Sequence, residues 1–343
     1  MMQPGNDQMM VSVENQLAHA CEPIADAMEE VHTLLDRQLQ MDYSQLKELS
    51  EHASRRRGKM LRPILLLLSG RAVGPIGPKH INLAAVVELL HQATLVHDDV
   101  LDGAQLRRKL PTASSLWGNE ASVLLGDYML SKAFDLCNEA GDFQASKAIS
   151  ETAGQICQGE LLQCVRRKEW QMDEANYLEI IDLKTASLYR LCCYLGSILA
   201  GGTREQSDAS ARYGQAIGGA FQIADDLLDI FGQEEHVGKT LGSDLAQAKP
   251  TLPIIHCLRQ TQPGVKDSML DLLGSCGAHG NGLDRTVVEK IHALLKQNGS
   301  LQYAWAKARQ LTAQAKRELD VLPDCLARSS MMTIADFVVE RSW

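Results

Sequence analysis

Asp98, Asp99 and Asp102 in VHDDVLD and Asp225, Asp226 and Asp229 in IADDLLD are two copies of one arrangement. On a helix of 3.6 residues per turn the first and last aspartate of each set share a face, and the middle one points about 100° away. Carboxylates crowded in this way repel one another and cost stability unless cations stand between them. Both sets sit in apolar surroundings, LLHQATLV before the first and GGAFQIA before the second. A solvated acidic face is the usual meaning of one such cluster, but charges on two buried helices need partners. Hard oxygen donors on facing helices suit magnesium, which takes a few carboxylates and completes its shell with water and phosphate oxygens.

The cations nearby indicate an anionic substrate. Arg107 and Arg108 follow the first set. As neighbours on a helix they would project about 100° apart and serve two different anions, and guanidinium forks match phosphate oxygens. Gly58, Lys59 and Arg62 precede or flank Pro63, where free N–H groups at a helix start add to anion binding. Lys184, Lys239 and Lys249 form a third group. Together these residues describe a magnesium site for one or two phosphate-bearing, largely apolar substrates.

Such a site needs long helices to hold it. The chain has 343 residues, 45% of them hydrophobic, and no linker divides it, so one large core after a flexible tail (1–12) accounts for residues 13–343. Aromatics are few, and alternating period-two patterns are scarce, which favours an all-α fold. Apolar residues recur at helical spacing from Val13 to Glu51, with a boundary at Pro23. Further helices are expected over Ile81–Leu101, 121–140, 144–168, 173–200 with an Asp173 cap, 205–231, from Thr251 onward, and Leu301–Leu319; 109–120, 232–250 and 276–282 read as loops. The mostly apolar central helices belong inside a bundle.

A net charge of −9 argues against nucleic acid as the main partner. The nine cysteines lack paired C-x-x-C spacing and read as reduced thiols of a cytoplasmic protein. The N-terminal residues show no secretory pattern, and the longest apolar run, Ile64 to Leu68, is too short for a transmembrane segment.

The chain closely resembles the trans-isoprenyl diphosphate synthases, the polyprenyl synthetase family. The resemblance runs through GKMLRP (58–63), ELLHQATLVHDDVLD, RRKLPT, GNEASVLLGDYML, QGELLQ (158–163), KTASL (184–188), GGAFQIADDLLDIFG, GKTLGSDLAQAKPTLP and the C-terminal DFVVER. It implies a single-domain helical bundle of the isoprenoid synthase type around a deep central cavity, working as a homodimer. It also implies head-to-tail condensation of an allylic diphosphate with isopentenyl diphosphate, using about three magnesium ions (Mg2+) per active site. By motif position, Asp98, Asp102, Asp225 and Asp229 hold metal, with Asp99 and Asp226 as further ligands or orienters. Arg107, Lys184, Thr185, Gln222, Lys239 and Lys249 surround the allylic diphosphate; Lys59, Arg62, His91 and Arg108, with the Gly58 backbone, hold isopentenyl diphosphate. His97 reads as structural. The chain departs from the family at Arg57, where many members have glycine, at Met60, often arginine, and at Ala248, commonly glycine.

Product length follows from what lies beneath the aspartates. A growing chain that runs along the helix before Asp98 meets Ala93 and Thr94 first, then Leu89 and Leu90. Short-chain members commonly carry an aromatic floor near Ala93, so its absence here points to a long product of about six to eight isoprene units, as used for quinone side chains. Tyr128, Met129 and Phe134 are candidate closures deeper down. The alternatives are a geranylgeranyl or farnesyl diphosphate synthase and a non-catalytic partner subunit, although such subunits tend to have degraded aspartate motifs. A terpene cyclase has no use for the GKMLRP and Arg108 site.

Overall fold

The apolar stretches fold as helices in the computed structural model of the chain, which describes residues 16–55, 58–231, 242–276 and 284–340. The expected tail over 1–12 lies outside the described residues, as do Arg57, Lys239 and most of the connection at 276–282. The N-terminal helical pattern forms α1 (Ala25–Leu39) and α2 (Lys47–Arg55), separated by extended backbone at Gln40 and a 3-10 turn at Ser44–Leu46. The single run expected from 13 to 51 is therefore interrupted, although Ser50 Oγ donates to the Leu39 carbonyl at 2.6 Å and closes the corner.

Next come α3 (Leu61–Arg71) and α4 (Pro78–Leu101). The latter starts at Pro78 rather than Ile81, because Pro at the first helical position loses an N–H that has no helical partner there. A two-residue hairpin, β1 (Leu106–Arg107) and β2 (Leu110–Pro111), precedes α5 (Ala113–Glu139). The loop expected over 109–120 is partly helical: the Thr112 side chain caps α5, and the helix kinks at Gly118 (φ 83°) instead of starting after it. Asp142 caps α6 (Phe143–Val165), and Asp173 caps α7 (Glu174–Ile181) through the Asn176 N–H at 2.9 Å.

The expected helix over 173–200 is continuous but not uniform. A π-helical turn, Asp182–Ala186, joins α7 to α8 (Ser187–Leu199). Then follow α9 (Arg204–Phe231), a short α10 (Ser243–Ala246), α11 (Leu252–Gln260), α12 (Pro263–Ser275), α13 (Arg285–Gln297), α14 (Ser300–Glu318) and α15 (Leu326–Glu340).

The main core joins α1, α3, α4, α5, α8 and α15. Leu65 through Leu68 and Leu83 through Leu89 are buried there on all helix faces, as expected of helices inside a bundle. A second core lies between α7, α9, α11 and α14, and a third ties α11, α12 and α13 together. Each aspartate helix thus rests on packed apolar layers, and α9 spans the contact between α8 and α14.

Lys168, just beyond α6, adopts left-handed backbone (φ 68°) while its side chain is exposed. Lys168→Gly is expected to raise stability by about 0.5–1 kcal/mol, since relief of left-handed strain exceeds the extra entropy glycine gives the unfolded chain. Urea melts read this directly, and a loss of stability would show that the lysine stem contributes packing.

Candidate active site

The first aspartate set ends α4. Asp99 is fully buried and accepts from Arg107 Nε at 2.6 Å. Asp102 caps the helix, and Lys249 Nζ lies 3.2 Å from both of its carboxylate oxygens. Asp98 faces Lys184 and Glu160; burial, with Glu160 and Asp102 nearby, pushes its carboxyl up to about 6 even though Lys184 and Arg107 pull it down. A carboxylate held so far above its ordinary value lacks enough positive charge around it.

The second set lies on the last turns of α9. Asp226 is buried and accepts from Tyr177 Oη at 2.6 Å and Gln222 Nε2 at 2.8 Å. Thr185 Oγ1 donates to Gln222 Oε1 at 2.7 Å, so one polar line runs Thr185–Gln222–Asp226–Tyr177. Tyr177 was not visible from the motifs, although it stands seven residues before Lys184 on the element that carries it. Asp229 is fully buried, accepting from Ser243 Oγ at 2.7 Å and the Asp244 N–H at 2.8 Å. Asp225 is half-buried beside them.

Lys249 links the two sets. Its ammonium, nearly buried, meets Asp102 on one side and lies 3.9 Å from Asp244 Oδ1 on the other, and the Asp244 N–H bonds Asp229. The residue before it, Ala248, is left-handed (φ 53°), which is the physical reason glycine suits that position. Met60 is left-handed as well (φ 54°) and buried.

Lys184 lies in the π-helical turn, a device that adds a residue to a helical turn and recurs at functional sites. Its Nζ is 2.5 Å from Glu160 Oε2 and 2.9 Å from Gln163 Oε1, both on α6. Burial alone would lower this ammonium, but Asp98 and Glu160 outweigh it and hold the pKa above the ordinary lysine value. Gly159 permits the approach: a Cβ there would come within 2.6 Å of the Lys184 backbone nitrogen. Glu160 and Gln163 belong to the QGELLQ segment that the sequence marked without assigning it a role.

A separate group gathers on the other side of Arg107. Arg107 and Arg108 are not helical neighbours: Arg107 ends β1, and Arg108 (φ 54°) and Lys109 (φ 65°) form the hairpin turn. The two side chains diverge through this turn rather than through a helix. Arg107 reaches Asp99, and Arg108 lies against Gly58, where any Cβ would collide with its guanidinium. His91 is half-buried beside Arg62, Arg108 and Arg107, and desolvation followed by those three charges holds its pKa well below the usual imidazole range. It is a neutral donor at neutral pH. Arg62 lies over the Tyr189 ring at 4.7 Å, and its buried Nε has no hydrogen-bond partner. Lys59 Nζ lies 4.8 Å from the Phe337 ring centroid, on α15. Three arginines around a neutral histidine, one with an orphaned buried N–H, are groups whose chemistry suits an anion.

Of the product-length residues, Ala93 and Leu89 are fully buried and Leu90 nearly so, whereas Thr94 is half-buried with its hydroxyl donating to the His91 carbonyl at 2.7 Å. A small hollow of about 20 Å³ lies beside Gln92, Leu95, Val96, Leu125 and Met129. Met129 borders it, Tyr128 Oη donates to the Gln40 carbonyl at 3.1 Å, and Phe134 is exposed.

The aspartates fit magnesium by donor type. Among the described residues no three acidic, imidazole or thiol groups converge as a closed metal cage. Magnesium needs none, since one or two carboxylates and substrate phosphates complete its shell. The elevated pKa of Asp98 marks a carboxylate that a cation would relieve.

Comparison with known proteins shows the family. The polyprenyl synthetase family model matches residues 43–290. The octaprenyl diphosphate synthase of Escherichia coli (strain K12) is 34% identical over 92% of this chain and 96% of its own. A short chain isoprenyl diphosphate synthase of Methanothermobacter thermautotrophicus is 36% identical over 86% of this chain and 90% of its own. A solved polyprenyl synthase from Caulobacter crescentus CB15, complexed with calcium and isoprenyl diphosphate, superposes with a TM-score of 0.89 at 32% identity, covering 95% of this chain and 98% of that one.

Proposed function

The chain belongs to the polyprenyl synthetase family of trans-prenyltransferases, and on that premise we propose that it adds isopentenyl diphosphate head-to-tail to an allylic diphosphate in the presence of magnesium. The product is an all-trans polyprenyl diphosphate of about six to eight isoprene units, its chain running along α4 past Thr94. The observation that carries this reading is that charged side chains gather in two groups that meet at Arg107, which pairs with Asp99 and adds its charge to His91. One is bounded by the two aspartate sets, and the other is built from Gly58, Arg62, His91 and Arg108. A cyclase, which ionises one diphosphate, needs only the first.

Magnesium bound to Asp98, Asp102, Asp225 and Asp229 would supply the charge that draws electrons onto the leaving diphosphate. Lys184, Arg107 and Lys249 add fixed positive charge to the same group, so the allylic C1–O bond breaks with its electron pair on oxygen. Arg62, Arg108 and neutral His91, with Lys59 at the rim, hold isopentenyl diphosphate so that its double bond attacks C1. A proton then leaves the new cation for the departing diphosphate. The apolar side chains of α4 and α5 keep out water, which would otherwise capture the cation.

We place a second copy of the chain against α5 and α6, whose Leu116, Val123, Leu124, Phe134, Leu161 and Val165 are exposed apolar residues of the kind a homodimer covers. No helix among the described residues is long and apolar enough to cross a membrane, and all nine cysteines are free thiols, in keeping with a cytoplasmic enzyme.

The test is to incubate purified protein with magnesium, labelled isopentenyl diphosphate and dimethylallyl, geranyl, farnesyl or geranylgeranyl diphosphate in turn, then size the dephosphorylated products. A ladder reaching thirty carbons or more supports the long-chain reading. Termination at fifteen or twenty supports the short-chain alternative, which the closed packing of Ala93, Leu89 and Leu90 favours. No incorporation with any primer supports a partner subunit. Thr94→Phe is expected to shorten the ladder to about three or four isoprene units, because a ring at this half-buried position blocks the path one turn below Asp98. An unchanged ladder would move the path to another face of α4.

A further inference from the structure

Lys249 is not the only cation on Asp102. Arg167, just beyond the end of α6, places Nη2 3.5 Å from Asp102 Oδ1 and 3.4 Å from Gln247 Oε1. No motif marks it, and 65 residues separate it from the aspartate it touches. The backbone delivers both cations as one unit. Lys168 and Ala248 are both left-handed, and the Lys168 N–H donates to the Ala248 carbonyl at 2.9 Å. Their chain neighbours, Arg167 and Lys249, are thereby directed at one carboxylate. Two residues with side chains in a conformation that favours glycine, hydrogen-bonded to each other, persist only where the surroundings over-determine them.

Asp102 does not need Arg167. Lys249 already meets both of its oxygens at 3.2 Å, and 3.5 Å is long for a charge-assisted hydrogen bond. The guanidinium also has unused capacity, since its Nε is buried without a hydrogen-bond partner. A planar fork with one edge on a carboxylate it can release and a free donor beside it is suited to a multivalent oxyanion.

We propose that Arg167 is a further diphosphate-binding residue of the allylic site. In the unliganded chain it shares Asp102 with Lys249. When Asp102 turns to a divalent cation, Arg167 transfers its Nη and Nε donors to the diphosphate that arrives with the metal. This rests on the proposed function and adds to it a ligand supplied by the segment after QGELLQ.

Calorimetric titration of the full chain with inorganic diphosphate and magnesium, and separately with isopentenyl diphosphate, tests the assignment. Arg167→Gln is expected to weaken magnesium-diphosphate binding by about tenfold or more and leave isopentenyl diphosphate affinity unchanged, while Arg167→Lys recovers part of the loss. Equal affinity for diphosphate in wild type and Arg167→Gln would overturn the proposal and leave Arg167 as a strut between α6 and the segment before Lys249. Equal weakening toward both ligands would also overturn it, as a general loss of structure. If the wild type itself binds no diphosphate with magnesium, the proposed function fails and the role of Arg167 fails with it.

Discussion

Asp98→Asn is expected to lose prenyl transfer by about a thousandfold or more and, at neutral pH, to melt higher than the wild type when both are free of metal. Both effects have one cause. Asp98 is half-buried, and a pKa raised to about 6 by desolvation means that the folded, metal-free chain carries an ionised carboxylate that its surroundings resist. The unfolded chain releases that proton near the ordinary value of 3.8, so folding takes up a proton between about pH 4 and 6. The penalty is absent below the unfolded value and fully developed above about pH 6, where it reaches up to about 3 kcal/mol. The amide removes the penalty but also the charge that a divalent cation would require. Thermal melts of both proteins at pH 5 and 7.5, with and without magnesium and diphosphate, read each part. The metal-free difference should shrink toward pH 5, and only the wild type should gain from ligand. A less stable variant at pH 7.5 would mean that the Asp98–Lys184 attraction outweighs burial.

How much of this could be read from the sequence differs residue by residue. The i, i+4 spacing of Asp98 and Asp102 inside an apolar helix stated both the geometry and the need for cations, because helical periodicity is local. The hairpin at 106–111 was not legible. Its turn uses left-handed Arg108 and Lys109 where Asn or Gly would normally signal it, so the pair reads as helical in the sequence. The π-helical turn under Lys184 likewise leaves no mark in the sequence, since the helical pattern continues on both sides of DLKTA. Arg167, Glu160 and Tyr177 act through contacts between elements distant in the chain, to residues 65, 24 and 49 positions away. Only the packing of α4, α6, α7 and α9 brings them to their partners, and local spacing carries no trace of it.

Lys184→Met is expected to be the most damaging single change to the folded chain. It leaves Glu160, largely shielded from solvent, without the ammonium 2.5 Å away, and it removes from Asp98 the positive charge that most lowers its pKa. Breaking a buried pair from one side costs about 3 kcal/mol, and loss of a fixed cation from the diphosphate site lowers turnover by about 10²–10³-fold. These two losses can be separated. The double variant Lys184→Met with Glu160→Leu removes both charges, so most of the stability should return, since an apolar pair of similar volume often replaces a buried ion pair at little cost. Turnover should not return, because the leaving group still lacks its cation. Urea melts and single-turnover rates on the wild type and both variants provide the measurement. If the double variant regains activity together with stability, Lys184 acts only as a partner for Glu160, and the charge that draws the diphosphate away must come from Arg107 and Lys249 alone.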